Sequence, residues 1–236
     1  MYRIARLLVM SLVSVSAHAA DPIPVRSVAL IPASEPLEYN ITLRSSVQFL
    51  IPLVATATHS DGKKKTKSFT DLLKSKAPNH GAYLTDQIAE RLRSGGYQVV
   101  VLNDIARPAD DPDSIDYEKL AFENDIALQV RIEGIGFYSG FGSASYVPKV
   151  NVGALSFTRR GAKYPYEASV CYGVDAKPGK DWAILSPESF NYSTFEALTA
   201  DPSAVDAIYR EALSKIAERV VAQFRASSPL AVASQQ

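Results

Sequence analysis

Two short apolar runs with an amphipathic segment between them dominate the first half of the chain. Residues Val25–Ala33 and Tyr97–Asn103 are almost continuously apolar, which is typical of strands buried on both faces. Between them, Leu84, Ile88 and Leu92 recur at helical spacing, and a pair of glycines follows. A strand, a helix and a strand in this order predict a right-handed crossover with two parallel strands.

The middle of the chain changes to the periodicity of strands. From Ile126 to Glu133, apolar residues alternate with more polar ones, which predicts a strand with one buried and one solvated face. Residues 149–158 and 164–173 are two further strand-like runs, with a turn at Arg160-Gly161 and a β-bulge at Gly153. We therefore expect an antiparallel meander after the parallel part.

The last helix has the clearest pattern of all. Asp201 is a favourable N-cap, Pro202 suits the first helical position, and Pro229 ends the segment before a tail, 229–236, that we expect to be disordered. A shorter helix is expected from Ile115 to Phe122. The apolar stripe of the last helix consists of Val205, Ile208, Ala212, Ile216, Val220 and Phe224. These elements predict an α+β fold: a mixed sheet, parallel at its start and antiparallel at its end, with helices mainly on one face.

One stretch does not fit this pattern. Residues 35–77 form an insertion before the first long helix, and the insertion is strongly apolar around Val47–Thr58 but too short to span a bilayer. One interpretation is a hairpin or short helix that covers a face of the sheet. The other is an exposed apolar flap, with Phe49 and Leu50 touching lipid or a partner protein. The basic run that follows a turn signal predicts a solvated loop, with a contact to an anionic surface as the alternative; it consists of Lys63, Lys64, Lys65 and Lys67.

The amino terminus has the pattern of a secretion signal. Two arginines precede a short apolar stretch, Leu7–Val15, and Ala17-His18-Ala19 supplies the small residues that a signal peptidase reads. No cysteine follows directly, so a lipid anchor is not expected. We predict cleavage after Ala19, or after Ala20, and a single domain over residues 20–228 in the periplasm or outside the cell.

Composition narrows the protein class further. The chain has 236 residues, is 47% hydrophobic and has a formal net charge of zero. A neutral balance argues against nucleic-acid-binding proteins, which carry basic surfaces. Cys171 is the only cysteine, so no internal disulfide can form and the apolar core must hold the fold. Its strand-like surroundings predict a buried, inert thiol.

The segment GIGFYSGFGSASYVP, residues 134–148, combines glycines with aromatic residues. A dinucleotide-binding fingerprint needs G-x-G-x-x-G between a strand and a helix; this spacing differs, and a strand follows. We interpret the segment as the long tip of a hairpin, whose aromatic residues either pack on the core or offer a binding surface. As binding residues we name Tyr138, Phe141 and Tyr146.

Catalytic and metal-binding patterns are weak. His59 and His80 are the histidines left after signal removal, and neither belongs to a zinc motif. His80 stands near a helix start and is interpreted as a residue of the capping region. The acidic residues of 110–116 lack the glycine and glutamate of a calcium loop. We predict no catalytic residue, no cofactor and no metal ion.

The order of elements resembles a group of bacterial envelope proteins. VRSVALIPA, LTDQIAERLRSGGYQVVVLND, ENDIALQVRIEGIGF, YVPKVNVGALSF, YPYEASVCYG and the closing amphipathic helix follow one another as in that group. The domain is similar to that of the curli-secretion lipoprotein family, the amino-terminal domain of TolB and uncharacterised periplasmic proteins of proteobacteria. The chain departs from the group by lacking a lipid-attachment cysteine and by its apolar insertion. The resemblance implies a non-enzymatic protein.

These observations lead to three hypotheses. The first is a non-catalytic periplasmic protein that binds or bridges cell-envelope components, protein or lipid, through the aromatic hairpin and the apolar insertion. The second is a secreted hydrolase that uses a serine or carboxylates with His80, which requires a pocket where the histidine meets such a group. The third is an oligomeric structural subunit, which requires an open strand edge or a large apolar patch.

Overall fold

A computed structural model describes residues 25–43, 52–108, 111–117, 119–139, 145–158 and 165–231, with side chains of the first helix from residue 60 onward. The predicted signal segment, Phe49, Leu50, Phe141 and most of the predicted tail lie outside the described residues.

Four α-helices occur in the described part of the chain. Their bounds are α1 Pro52–Lys74, α2 His80–Ser94, α3 Phe195–Ala200 and α4 Pro202–Ser227. The predicted cap of α4 is confirmed, because the Asp201 carboxylate accepts hydrogen bonds from the backbone N–H groups of Ser203 and Ala204 at 3.0 and 3.1 Å. None of these helices is long and apolar enough to cross a membrane.

Seven strands form one sheet in the described residues. Their bounds are β1 Ser27–Ile31, β2 Asn40–Leu43, β3 Gln98–Val101, β4 Ile126–Ser139, β5 Tyr146–Thr158, β6 Tyr166–Gly173 and β7 Ala183–Ile184. The spatial order is β3-β1-β4-β5-β6-β7, and β2 pairs with β4 as well. The pairs β1·β3 and β1·β4 are parallel, whereas β4·β5 and β5·β6 are antiparallel. The predicted α+β class with a mixed sheet is therefore confirmed.

β1 and β2 share one edge of the long strand β4. β1 pairs with Ile126–Gln129 and β2 with Gly136–Ser139, both in parallel orientation. Residues 32–39, which we call the connector, join β1 to β2 and pass the stretch of β4 between these two paired regions. The connector thus lies along the sheet edge, where it meets the first turn of α2.

The main apolar core lies between the sheet and the helices. It contains inward-facing residues of the strands, such as Leu30, Leu128 and Val152, together with the buried stripes of α1, α2 and α4. The whole predicted stripe of α4 is buried; it consists of Val205, Ile208, Ala212, Ile216, Val220 and Phe224. Helices on one face of the sheet are therefore confirmed for the described residues.

The opposite face of the sheet is covered at one end, so the prediction of a fully solvated second face of β4 is wrong there. Ala127 and Gln129 are buried, and Ala127 packs with Phe157 and with residues of the segment 102–122. Gln129 is satisfied by polar partners, since its Oε1 accepts from the Tyr117 hydroxyl at 2.6 Å. Beyond this cover the expected pattern returns, because Glu133 is exposed.

Several local predictions are also wrong. The described residues of 115–122 form turns and irregular chain rather than a helix. The lysines of 63–67 lie within helix α1, not in a loop. The β-bulge falls in β4 between Ile132 and Gly134, opposite Val152 and Asn151, whereas Gly153 pairs regularly with Arg131. Most of the expected hairpin tip belongs to strands, because β4 extends to Ser139 and β5 begins at Tyr146.

The insertion folds as strand β2 and helix α1, and α1 covers the free edge of β2. The Thr66 hydroxyl accepts from the backbone N–H of Ile41, and the Thr70 hydroxyl accepts from that of Tyr39, both at 2.9 Å. The two threonines are four residues apart, so they lie on one face of the helix. Residues 44–51 of the insertion lie outside the described residues.

Candidate functional site

A fully buried histidine lies where three segments meet. His80 is the first residue of α2, and its side chain is 0% exposed. Its Nδ1 is 2.7 Å from the Tyr39 hydroxyl of the connector, and its Nε2 is 2.9 Å from Asp206 Oδ1 on α4. The Nε2 contact is close but not aligned as a hydrogen bond, so we treat it as electrostatic.

The protonation state of this histidine follows from its surroundings. Burial lowers the pKa of His80 below 6.5, although Asp206 opposes this effect. Burial also raises the pKa of the Tyr39 hydroxyl, so this hydroxyl keeps its proton. A neutral imidazole then accepts from Tyr39 at Nδ1 and carries its own proton on Nε2, facing Asp206.

Aromatic rings enclose the histidine. The rings of Tyr39 and Tyr209 stack at a centroid distance of 5.8 Å, and the imidazole meets both edge-on at 5.6 and 5.5 Å. Phe137, from the predicted aromatic hairpin, packs against Tyr209 at 5.7 Å. Phe137 therefore belongs to the core, as the packing interpretation of the hairpin expects.

Charged groups around the cluster tie the segments together. Arg210 donates to Asp206 Oδ2 at 2.7 Å and to Asn79 Oδ1 at 2.6 Å. Glu35 of the connector accepts from the backbone N–H groups of Gly81 and Ala82 at 2.8 and 3.3 Å, and so caps the N-terminus of α2. The Thr85 hydroxyl of α2 accepts a hydrogen bond from the backbone N–H of Ala33 at 2.9 Å.

The cluster has the residue types of a catalytic triad without access for a substrate. His80, Tyr39 and Tyr209 are between 0% and 1% exposed. A substrate would reach the imidazole only after the connector or α4 had moved. The pocket that the hydrolase hypothesis requires is therefore not present around His80 in the described structure.

The sequence-predicted binding residues have different places. Tyr138 is half-buried on the face of β4 opposite to Phe137, where it pairs with Val147 of β5 and Thr42 of β2. Tyr146 is 7% exposed, and its ring packs against Phe195 at 6.2 Å. Phe141, Phe49 and Leu50 lie outside the described residues.

The hairpin and the insertion meet at one end of the molecule. β2 pairs with the last residues of β4, and the Lys65 ammonium of α1 lies 3.4 Å from the Tyr146 hydroxyl and 5.5 Å from the Phe195 ring centroid. A groove of about 640 Å³ runs between β2 and α1. Its lining includes Asn40, Thr42, Leu43, Lys63 and Lys67.

A second concave region follows the connector. This cavity of about 350 Å³ is lined by carboxylates, among them Glu35, Asp113 and Glu133. Burial raises the pKa of Asp113 and that of Glu35. Across the described residues, no three His, Cys, Asp or Glu side chains are grouped so that they could hold a metal ion.

Cys171 is only half-buried, which corrects the prediction of a buried thiol. It lies on β6, and its backbone N–H donates to the Trp182 carbonyl at 2.8 Å. Burial and the nearby Asp175 raise the pKa of the thiol. A thiol with a raised pKa is a poor nucleophile near neutral pH.

Sequence reasoning named His80 but missed its partners. Tyr39, His80 and Asp206 come from three distant segments, and no spacing relates them. One local pattern in the sequence pointed to them: Asp206 and Arg210 are four residues apart and form an ion pair beside the apolar stripe of α4.

No protein-family model matches the chain, and no curated protein matches it. Among solved structures, it is similar to a hypothetical protein from Chlamydia trachomatis, with 12% identity, a TM-score of 0.37 and coverage of 85% of this chain and 99% of the other. A protein from Xanthomonas campestris has 12% identity and a TM-score of 0.39, covering 87% and 85%. A lipoprotein from Neisseria meningitidis has 17% identity and a TM-score of 0.29, covering 65% and 88%. Because these identities and TM-scores are low, the similarities support no conclusion about function. The resemblance to the curli-secretion and TolB group stays a prediction.

Proposed function

We propose that the chain is an exported, non-catalytic protein of the cell envelope that binds or bridges envelope components at the end of the molecule where the hairpin and the insertion meet. The observation that carries this proposal is the pairing of β2 with Gly136–Ser139. The sequence marked these two segments independently as unusual, and the pairing makes them one continuous surface.

The chemistry of this surface supports a binding role. Tyr138 presents a half-buried ring on the outer face of the sheet, and α1 carries exposed lysines beside the groove. Aromatic side chains are enriched in binding surfaces, and lysines beside them attract anionic partners. Export is supported by the signal-like amino terminus alone.

The reactive groups described above support a non-catalytic role. The His80 imidazole is enclosed, and the Cys171 thiol has a raised pKa. The oligomeric alternative rests on a separate observation, because β3 forms one edge of the described sheet and its Val100 is 52% exposed. The Arg93 guanidinium lies over part of that edge, 3.3 Å from the Val99 carbonyl oxygen.

A pair of surface variants tests the proposed surface. Tyr138→Ala changes the hairpin end, whereas Val100→Ala changes a 52% exposed side chain on the edge strand β3, away from that end. We expect in-cell crosslinking from the groove, followed by lipid and protein identification, to recover the component bound by the wild-type chain about tenfold less with Tyr138→Ala, since a central aromatic contributes more than about 1.4 kcal/mol.

Val100→Ala is expected to match the wild type. The double variant Tyr138→Ala/Phe141→Ala extends the test to the part of the hairpin outside the described residues. Equal recovery from all these proteins, each folded and exported, would exclude this end of the molecule as the binding surface.

A further inference from the structure

The His80 cluster joins α2 and α4 to the residue that precedes β2, the strand that pairs with the hairpin. Tyr39 lies directly before β2, and β2 pairs with the hairpin. Asp206 and Tyr209 belong to α4, which covers the sheet. We propose that His80 is an acid-sensitive latch: as a neutral imidazole it holds the connector and β2 against α2 and α4, and its protonation loosens them.

In the neutral state every polar atom of the imidazole has a suitable neighbour. Nδ1 accepts the Tyr39 proton at 2.7 Å, and Nε2–H faces Asp206 Oδ1 at 2.9 Å. The connector is thereby held at its carboxyl-terminal end, while Glu35 and Ala33 hold the preceding residues on α2.

Protonation breaks this arrangement at Nδ1. An imidazolium carries a proton on both nitrogens, so Nδ1 becomes a donor and the Tyr39 hydroxyl must accept instead. The hydroxyl proton of Tyr39 then needs a new acceptor, although the side chain is 1% exposed and enclosed by the His80 and Tyr209 rings. An unsatisfied buried donor and a buried charge both favour an opened connector.

The charged and titratable groups that face His80 act in different directions. From α4, Asp206 favours the imidazolium, but its other oxygen is already paired with Arg210 at 2.7 Å, and Arg210 opposes a second positive charge. Tyr209 and Tyr39 stay protonated because burial raises the pKa of each hydroxyl. From the connector, Glu35 lies at the α2 N-terminus beside the backbone of His80.

The sign of the effect follows from the pKa of His80 in each state. In the opened or unfolded chain the imidazole takes up its proton near 6.5, whereas in the closed fold burial lowers its pKa. Above 6.5 neither state is protonated, and the closed form keeps its full stability. As the pH falls below 6.5, the opened form gains the proton first. The equilibrium constant that favours the closed over the opened form then decreases by about tenfold per pH unit, until the pKa of the closed state is reached.

Hydrogen exchange of the full mature chain tests the latch. Protection factors, corrected for intrinsic exchange, are compared between about pH 7.5 and about pH 5.5 for peptides covering 33–43 and for peptides from the second half of α4. We expect the 33–43 protection to fall with acidification in the wild type and in His59→Gln, the matched control, while α4 changes less. In His80→Gln the dependence is expected to disappear.

A second measurement does not depend on how well His80→Gln folds. The imidazole resonances of the wild-type chain, assigned with His59→Gln, report the pKa of His80 directly. We expect titration below 6.5, accompanied by exchange broadening of Tyr39 and Ile41. Protection of 33–43 that is flat with pH in the wild type, or a His80 that titrates at or above 6.5, would overturn the latch. Glu35 has a raised pKa, so its protonation stabilises the closed form on acidification and cannot cause the loss of protection. Glu35→Gln is therefore expected to show the same acid-induced loss of protection in 33–43 as the wild type.

Discussion

Gly81 shows how a single position fixes the connector on α2. A β-carbon at this residue would lie 2.6 Å from the Ser34 carbonyl oxygen and 2.7 Å from that of Ala33. These are backbone atoms, so they cannot rotate away as the end of a flexible side chain would. The close approach of two backbones, rather than any positive φ, accounts for glycine in the first turn of this helix.

Replacement of this glycine gives a clear prediction. In an exposed helix, alanine would be about 1 kcal/mol better than glycine. At this position we expect Gly81→Ala instead to lower the free energy of unfolding by about 1–3 kcal/mol, because the connector must move. Urea denaturation measures the change. Gly134→Ala is the control, since its β-carbon would meet nothing within 4 Å; equal stability of the two variants would show that the connector does not pack on α2 as described.

At the scale of elements, local pattern predicted those helices and strands that bury an apolar stripe or alternate cleanly. α2, α4 and the strands of the meander belong to this class, since each contacts the core through its own side chains. The length of α1, expected as a hairpin or a short helix, was missed because its inner face is only partly apolar. Phe69 and Leu73 reach the core. Thr66 and Thr70 on the same helix bond the edge of β2 instead, and Gly62 stands one turn earlier. A hydrophobic period cannot reveal a helix that seals a strand edge with hydroxyl groups.

The threonine contact can be tested with isosteric changes. Thr66→Val and Thr70→Val keep the shape but leave the backbone N–H groups of Ile41 and Tyr39 without acceptors. We expect each variant to lose about 1–3 kcal/mol of unfolding free energy, with faster amide exchange in β2. Thr42→Val, at an exposed position of β2, should change little. If the three variants were equally stable, α1 would not satisfy the strand edge.

At the scale of the whole molecule, the sequence predicted the class of fold but not the cover of its second face or the histidine cluster. The segment 102–122 has no regular periodicity, yet Ile115 and its neighbours bury Ala127 and Phe157. The cluster depends on three segments that meet only after folding. Long-range contacts of this kind leave no spacing in the sequence, whereas strand and helix periods are local.

Alkaline pH should unfold the protein in a cooperative way. Burial raises the pKa of Tyr39, Tyr166, Tyr172 and Tyr209 above the ordinary 10.0. Below pH 10 these phenols are protonated in both states; above it the unfolded chain ionises first, so stability is lost as the pH rises, by about 1.4 kcal/mol per pH unit for each tyrosine. Tyrosinate absorbance should therefore show a sharp step together with loss of circular dichroism. A single gradual titration centred near 10 would contradict the buried positions.

Because β2 pairs in fixed register with β4, the number of residues in the connector decides which face of the sheet each side chain of β2 occupies. Glu35 is fastened to α2, and Asn40 begins β2 in fixed alignment with Gly136. Deleting one residue between them would slide β2 by one place and turn Ile41 outward and its polar neighbours inward. Homologous chains that share this architecture are therefore expected to vary in length here by even numbers of residues, if they vary at all.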